Sequence, residues 1–367
     1  MDLKWEECIL LKGNREIADY FSKKSDRLFI VAQGFDPRTC CGLECFLQVD
    51  PDIHVILVNY SETPKSTSYD YNSDSRQNRE KIQKVCKPNQ LREVAFDMWK
   101  EEEGRKTSLV RKYIELNFKK DMLLPYQDII VDISAMPRSV YANLLKVLLK
   151  NKEPEQHLFV VVCENSAFDD TIITTNAFET AEYLNGVGAY SIGQEADNNK
   201  TTVWMPMLGG EKGDTLNKLY NFIKPDEICP ILPFPSENIR RSERILRNNE
   251  LILFQTMRIE KNNILYVSEN SPIQAYKKLC KTVEYYAEAF SILSPKNQMK
   301  DTKFIFSMQS SKLMELGMLM AVFDLASNRY KVGIATVENE GYYMEKEKCD
   351  INQSQLYCVG LDISIYD

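Results

Sequence analysis

The residues best able to do chemistry in this chain sit in short turns that follow apolar runs. One turn is Asp132-Ile133-Ser134-Ala135-Met136-Pro137-Arg138-Ser139, directly after Ile129-Ile130-Val131. It joins a strand-like run to a helix-patterned segment, Ser139 to Leu149. A second is Gly34-Phe35-Asp36-Pro37-Arg38, after Leu28 to Ala32. Glu269 follows Asn263 to Val267, and Ser310-Ser311-Lys312 follows Phe304-Ile305-Phe306. Small hydroxyls, a glycine and a cation at a helix start suit phosphate or another anion, because helix N-terminal amides point at it and a guanidinium or ammonium balances its charge. Gly34, Arg38, Ser134, Arg138, Ser310, Ser311 and Lys312 are therefore the expected ligand contacts. Asp36, Asp132 and Glu269 are strand-end carboxylates able to act as general acid or base if the chain is an enzyme. Any one of these turns is also explained by ordinary helix capping, and Asp132 could equally cap its helix or pair with Arg138. Their recurrence at one predicted sheet edge is the stronger signal.

Other chemistries are poorly provided for. The chain has two histidines, His54 and His157, each opening an apolar run. The ligand edge of a parallel sheet lies at the other end of its strands, so both read as structural, and a Ser-His-Asp or metal-His mechanism is not expected. Ten cysteines are present. Cys163, Cys229, Cys280 and Cys358 sit singly in or beside apolar runs and read as small buried hydrophobes in a reducing compartment. The cluster Cys40, Cys41 and Cys45 lacks a second pair at zinc spacing, so no metal is expected. In Gly209-Gly210-Glu211-Lys212-Gly213-Asp214-Thr215 the last glycine precedes Asp214, which breaks the phosphate-loop pattern. No dinucleotide fingerprint occurs, and no cofactor is expected.

The elements that must position these turns alternate strand and helix. The 367 residues are enough for two domains, and 44% hydrophobic with 27% charged residues is a globular profile. The net charge of −7 disfavours a broad grip on nucleic acid. No membrane span and no signal peptide are seen, so a cytoplasmic protein is expected. Strand-like runs at 28–32, 54–59, 91–96, 129–131 and 158–163 alternate with helix-patterned segments. The same order recurs at 202–208, 228–234, 263–267, 304–306 and 332–337, with a last strand at 357–363. The expected fold is α/β: two Rossmann-like lobes, each a mainly parallel sheet with helices on both faces, in an arrangement that suggests internal duplication. Lobe one is assigned to 1–165, a linker with a helix near Ala177 to Leu184 to 166–200, and lobe two to 201–367.

The turn Asp132 to Ser139 resembles the strand-end Asp-x-Ser/Thr-x-x-x-Lys/Arg turn of CRISPR-associated Rossmann-fold ligand sensors, with Ala135 and Met136 where that family usually has glycines. The resemblance covers this turn and the topology of lobe one. It implies a cyclic-oligonucleotide sensor that regulates effectors in prokaryotic antiviral defence, with Ser310-Ser311-Lys312 as the lobe-two counterpart. The expected function is accordingly a binding or regulatory protein for a nucleotide or other phosphorylated ligand. The alternatives are a hydrolase or transferase acting on a nucleotide or sugar phosphate by carboxylate acid/base catalysis, and a non-catalytic scaffold. A protein partner or a homo-oligomer is compatible with all three.

Overall fold

The computed structural model describes residues 2–61, 71–102, 105–169, 172–177, 181–188, 200–210, 214–293, 302–344 and 350–364. The chain forms two compact units: residues 7–175 with 340–367, and residues 176–339 with 1–6.

The first unit opens with β1 (Cys8–Lys12), α1 (Gly13–Tyr20) and β2 (Arg27–Ala32), then α2 (Cys41–Val49), β3 (His54–Ser61), α3 (Asn72–Val85) and β4 (Leu91–Asp97). A hairpin of β5 (Trp99–Glu102) and β6 (Arg105–Ser108) precedes α4 (Val110–Asn117) and α5 (Lys120–Leu123). Next come β7 (Asp128–Asp132), α6 (Arg138–Asn151), β8 (His157–Glu164), α7 (Ser166–Asp169) and β9 (Ile172–Ala177). The second unit runs through β10 (Glu182–Gly188), β11 (Thr202–Met207), α8 (Asp214–Ile223), β12 (Glu227–Ile228), β13 (Ile231–Pro233), α9 (Arg241–Asn248) and β14 (Leu265–Val267). It continues with α10 (Pro272–Leu293), β15 (Lys303–Met308), α11 (Lys312–Ser327) and β16 (Lys331–Thr336). Then β17 (Asn339–Met344) and β18 (Gln355–Ser364) carry the chain back.

The sheet of the first unit has the order β1-β18-β8-β7-β2-β3-β4. Its β8-β7-β2-β3-β4 part is parallel throughout, while β18 runs antiparallel to β8 and β1. Both faces of these strands must be covered, which is why β2 and β8 are apolar nearly end to end. Phe29, Val31, Phe159 and Val161 pack with Leu43 and Phe46 of α2 and Ile82 of α3. Alternate residues such as Ile30, Val131 and Val160, and Val140, Leu144 and Leu148 of α6, are also fully buried. The polar residues that open the strands pair with one another at the amino edge: Arg27 with Asp50 (3.2 Å) and Asp128 (3.4 Å), and His157 Nδ1 with Asp128 (2.9 Å). His54 Nδ1 meets the Tyr126 hydroxyl at 3.2 Å. Both histidines therefore lie at the edge away from the strand-end turns.

The second sheet has the order β10-β16-β15-β11-β13-β14, with β12 also beside β11. Here β16, β15, β11, β13 and β14 are parallel, and β10 is antiparallel to β16. Numbering the parallel strands of each unit one to five in chain order, with the short β12 counted together with β13, gives 5-4-1-2-3 twice. In both units an antiparallel strand lies beside strand five. Helix α11 is buried on nearly every side, as its uninterrupted apolar sequence requires.

Two expectations are corrected. The final strand does not close lobe two: β18 enters the first sheet, pairing Tyr357 with Val162 and Val359 with Val160. An apolar run shows that a strand will be buried, and does not say which sheet edge will take it. The described residues of the helix expected near Ala177 to Leu184 lie in strands instead: β9 ends at Ala177, and β10 pairs Glu182 with Thr336 and Tyr183 with Ala335. Gly186 and Gly188 follow directly and disfavour a helix there, while Tyr183 suits a pleated surface. The polar stretch 194–199 assigned to the linker lies outside the described residues. None of the described helices is long and apolar enough to cross a membrane.

Candidate functional site

In a 5-4-1-2-3 sheet the connections leave strands one and four in opposite directions. A crevice opens there, beyond the carboxyl ends of the strands. In the first unit these strands are β2 and β7, so the turns 33–38 and 133–138 meet. A Cβ placed on Gly34 would lie 3.0 Å from both Cβ and O of Ala135. In the second unit they are β11 and β15, so Leu208-Gly209-Gly210 meets Gln309-Ser310-Ser311. A Cβ on Gly209 would lie 1.8 Å from the Gln309 carbonyl oxygen. The fold thus brings the predicted ligand residues together as two separate sets, one per unit.

In the first unit most of the predicted groups bond to one another. Arg38 is 3% exposed. Its guanidinium donates to Asp36 from Nε (3.1 Å) and Nη2 (2.7 Å), pairs with Asp169 at 2.8 Å, and donates to the Cys163 carbonyl at 3.3 Å. It lies 4.4 Å from the ring centroid of Phe168. Burial lowers the pKa of this guanidinium, but Asp169 and Asp36 more than offset it, and the net shift is well upward. Asp36 also accepts the Arg38 backbone N–H at 2.8 Å. Asn78 of α3 holds the same turn by donating to the carbonyls of Gly34 (2.9 Å) and Asp36 (3.0 Å). Arg38 was expected to contact an anion; its charge is committed to two carboxylates instead. Asp169, Asn78 and Phe168 carry no sequence signal, because each meets Arg38 or its turn only in the folded chain.

Asp132 is 1% exposed, and its Oδ1 accepts the Ser134 N–H at 2.9 Å and the Ser134 hydroxyl at 2.5 Å. Ser134 Oγ in turn accepts the Cys163 N–H at 2.7 Å, which ties the end of β7 to β8. Asp132 Oδ2 is buried without a hydrogen-bond partner and faces Gly42 of α2, where a Cβ would lie 2.2 Å away. Asp132 is thus neither a helix cap nor a base open to the crevice; it braces a turn. Burial pushes its carboxyl up to about 6, against the downward pull of the Ser134 bonds and with a further push from Asp36. Arg138 is the half-buried first residue of α6, and Ser139 Oγ behind it is buried without a partner.

This raised carboxyl has a pH consequence. The folded state holds the Asp132 proton up to about pH 6, whereas a carboxyl at its ordinary value of 3.8 loses it earlier. Stability therefore falls as pH rises between these values, and the penalty is complete above the higher one; it amounts to about 3 kcal/mol. Asp132→Asn keeps an acceptor for Ser134 and removes the charge. It is expected to melt higher than the parent at pH 7.5, with the advantage shrinking toward pH 4. Thermal melts of both proteins across that range check this, and an advantage independent of pH would count against a buried charged Asp132.

In the second unit, Glu269 at the end of strand three is 1% exposed and pairs with Arg241 at 2.9 Å. Arg241 is 3% exposed, whereas Arg240 and Arg244 on either side of it are exposed. Ser310 donates its backbone N–H to Glu315 Oε1 at 3.1 Å, and its hydroxyl contacts Met314 Sδ at 3.3 Å. Ser311 is the N-cap of α11 but makes no capping bond, and its Oγ is buried without a partner. Gln309, which the sequence did not single out, is 6% exposed, and its Nε2 also has no partner. Lys312 is the half-buried first residue of the helix. Residues 211–213 of the glycine-rich turn lie outside the described residues. No cluster of three metal-ligating side chains occurs among the described residues, and every described cysteine is a free thiol.

No family model and no curated protein matches this chain. Among solved structures it is similar to the mitomycin 7-O-methyltransferase MmcR, at 8% identity and a TM-score of 0.23, over 41% of this chain and 36% of that one. The plantazolicin methyltransferase BpumL in complex with SAH matches at 11% identity and a TM-score of 0.24, over 43% and 49%. The glycopeptide N-methyltransferase MtfA complexed with S-adenosyl-L-methionine matches at 13% identity and 0.23, over 47% and 60%. The match therefore spans less than two thirds of each of these chains. Likenesses this distant carry no argument about what the present chain binds or does.

Proposed function

We propose that this protein binds a nucleotide or other phosphorylated small molecule at the carboxyl edge of its sheets. One observation carries the reading: in each unit the helix after strand four, α6 or α11, opens at the sheet's switch point with a buried serine hydroxyl, Ser139 or Ser311, that has no partner. Helix N-terminal amides and the dipole behind them favour an anion there. A buried hydroxyl without a partner is costly, and a phosphate oxygen would satisfy it. The strand-end carboxylates point to binding more than to proton transfer. Asp36 and Glu269 are engaged with arginines, and the unpartnered oxygen of Asp132 faces helix α2.

The test is a thermal-shift screen of the full chain, followed by calorimetry and product analysis. The probes are ATP, AMP, inorganic pyrophosphate, a cyclic oligoadenylate and S-adenosylmethionine. A phosphorylated ligand at about 100 times its Kd should add about 2.7 kcal/mol of stability. The oligoadenylate tests the sensor role implied by the Asp132 to Ser139 turn. Saturable binding without product supports a binding protein. Turnover of a probe would support a group-transfer or hydrolytic enzyme instead, and no saturable binding by any phosphorylated probe would defeat the reading.

A further inference from the structure

We infer that only one of the two switch points, the one in the second unit, takes the phosphoryl group, with Gln309 Nε2, Ser311 Oγ and the first-turn amides of α11 as its donors. This rests on the reading above and narrows it to one site and one ligand per chain.

The first switch point is closed by its own side chains. In the order β8-β7-β2, strand β7 lies between the other two. Arg38 follows β2, yet it bonds to the Cys163 carbonyl on β8 and to Asp169 beyond it. Its side chain therefore passes over the carboxyl end of β7, where strands one and four part. Asp36, Asp132 and Asp169 gather three carboxylates there around that one arginine, a poor setting for an anion.

The second switch point is built differently among its described residues. After its strand one, Gly209 and Gly210 have no side chain to send across strand four. Gly209 instead brings the two backbones together against Gln309. The turn 307–312 holds no acid. Glu315 is the one carboxylate in the first turn of α11, and it reaches back to accept the Ser310 N–H. An N-cap serine ordinarily bonds an N–H of its own helix, leaving less for a ligand. Ser311 does not, and with Gln309 it leaves two buried polar atoms unmet within three residues, at the N-terminus of a 16-residue helix. A tetrahedral oxyanion seated on the helix start can accept from both and from the first-turn amides, which have no intrahelical acceptor. The chemical class is a terminal phosphate or diphosphate, met by neutral donors and one lysine.

Pyrophosphate and ATP, titrated calorimetrically into the full chain, test this. One ligand per chain is expected. Ser311→Ala and Gln309→Leu should each weaken binding about tenfold or more, whereas Ser327→Ala, at the exposed far end of α11, should leave it unchanged. Without ligand, Ser311→Ala should melt no lower than the parent, since it deletes a hydroxyl that bonds nothing. A purely structural serine would instead lower the melting temperature and spare the affinity. Two ligands per chain, or parental affinity in the Ser311→Ala/Gln309→Leu double variant, would overturn the inference and leave the broader reading standing. If neither pyrophosphate nor ATP saturates the chain but another phosphorylated probe does, the terminal-phosphate assignment falls alone. If no phosphorylated probe saturates it, both fall.

Discussion

Replacing Arg38 with methionine is expected to destabilise the first unit by about 3–5 kcal/mol, because it strands buried charge. Asp36 and Asp169 would lose their shared counterion, and Asp132 would lose the guanidinium that offsets Asp36. Loss of the bond to the Cys163 carbonyl and of the stack on Phe168 adds to the cost. Urea denaturation of parent and variant measures the effect. The reciprocal change separates charge from packing: Asp36→Asn and Asp169→Asn introduced with Arg38→Met should recover a large part of the loss. If the triple variant is no more stable than Arg38→Met alone, the arginine acts through its packing.

A second large effect is expected from a single methyl group. Gly209→Ala would place a Cβ 1.8 Å from the Gln309 carbonyl oxygen and 2.9 Å from its carbonyl carbon. Both are backbone atoms, so no side chain can turn aside to relieve the clash, and the β15 turn must move. Overpacking of this kind costs about 1–3 kcal/mol or more. It also displaces Gln309 and Ser311, so pyrophosphate and ATP affinity should fall with the melting temperature. The neighbouring exposed Gly210 is the control, since Gly210→Ala should change stability by no more than about 0.5 kcal/mol. Melting and calorimetry of the two variants side by side check this. Equal behaviour would mean that the close approach at Gly209 is unimportant.

Much of the fold is legible without coordinates because its signals are local. A run such as Leu28-Phe29-Ile30-Val31-Ala32 must be buried on both faces, and the helix-patterned segment after it returns the chain to the same edge. That logic places Asp36, Asp132, Glu269 and Ser311 at carboxyl ends of strands. It fails at β18, whose ten residues would suit either sheet, and at the start of β10, where the end of a helix was expected.

The chemistry of those strand ends is decided by pairings at long range. By itself the sequence determines that glycines, serines, carboxylates and cations gather at one edge of each sheet, because strand periodicity and turn composition are properties of neighbouring residues. Only the tertiary structure decides how they are used. Arg38 meets a carbonyl 125 residues away and is neutralised, and Asp132 turns its second oxygen onto Gly42 of another element. Gln309 and Ser311 are buried without partners, a condition that depends on what packs around them. Residue type states which bonds a side chain can make. Burial and distance in the folded chain determine which bonds are already made and which remain for a ligand.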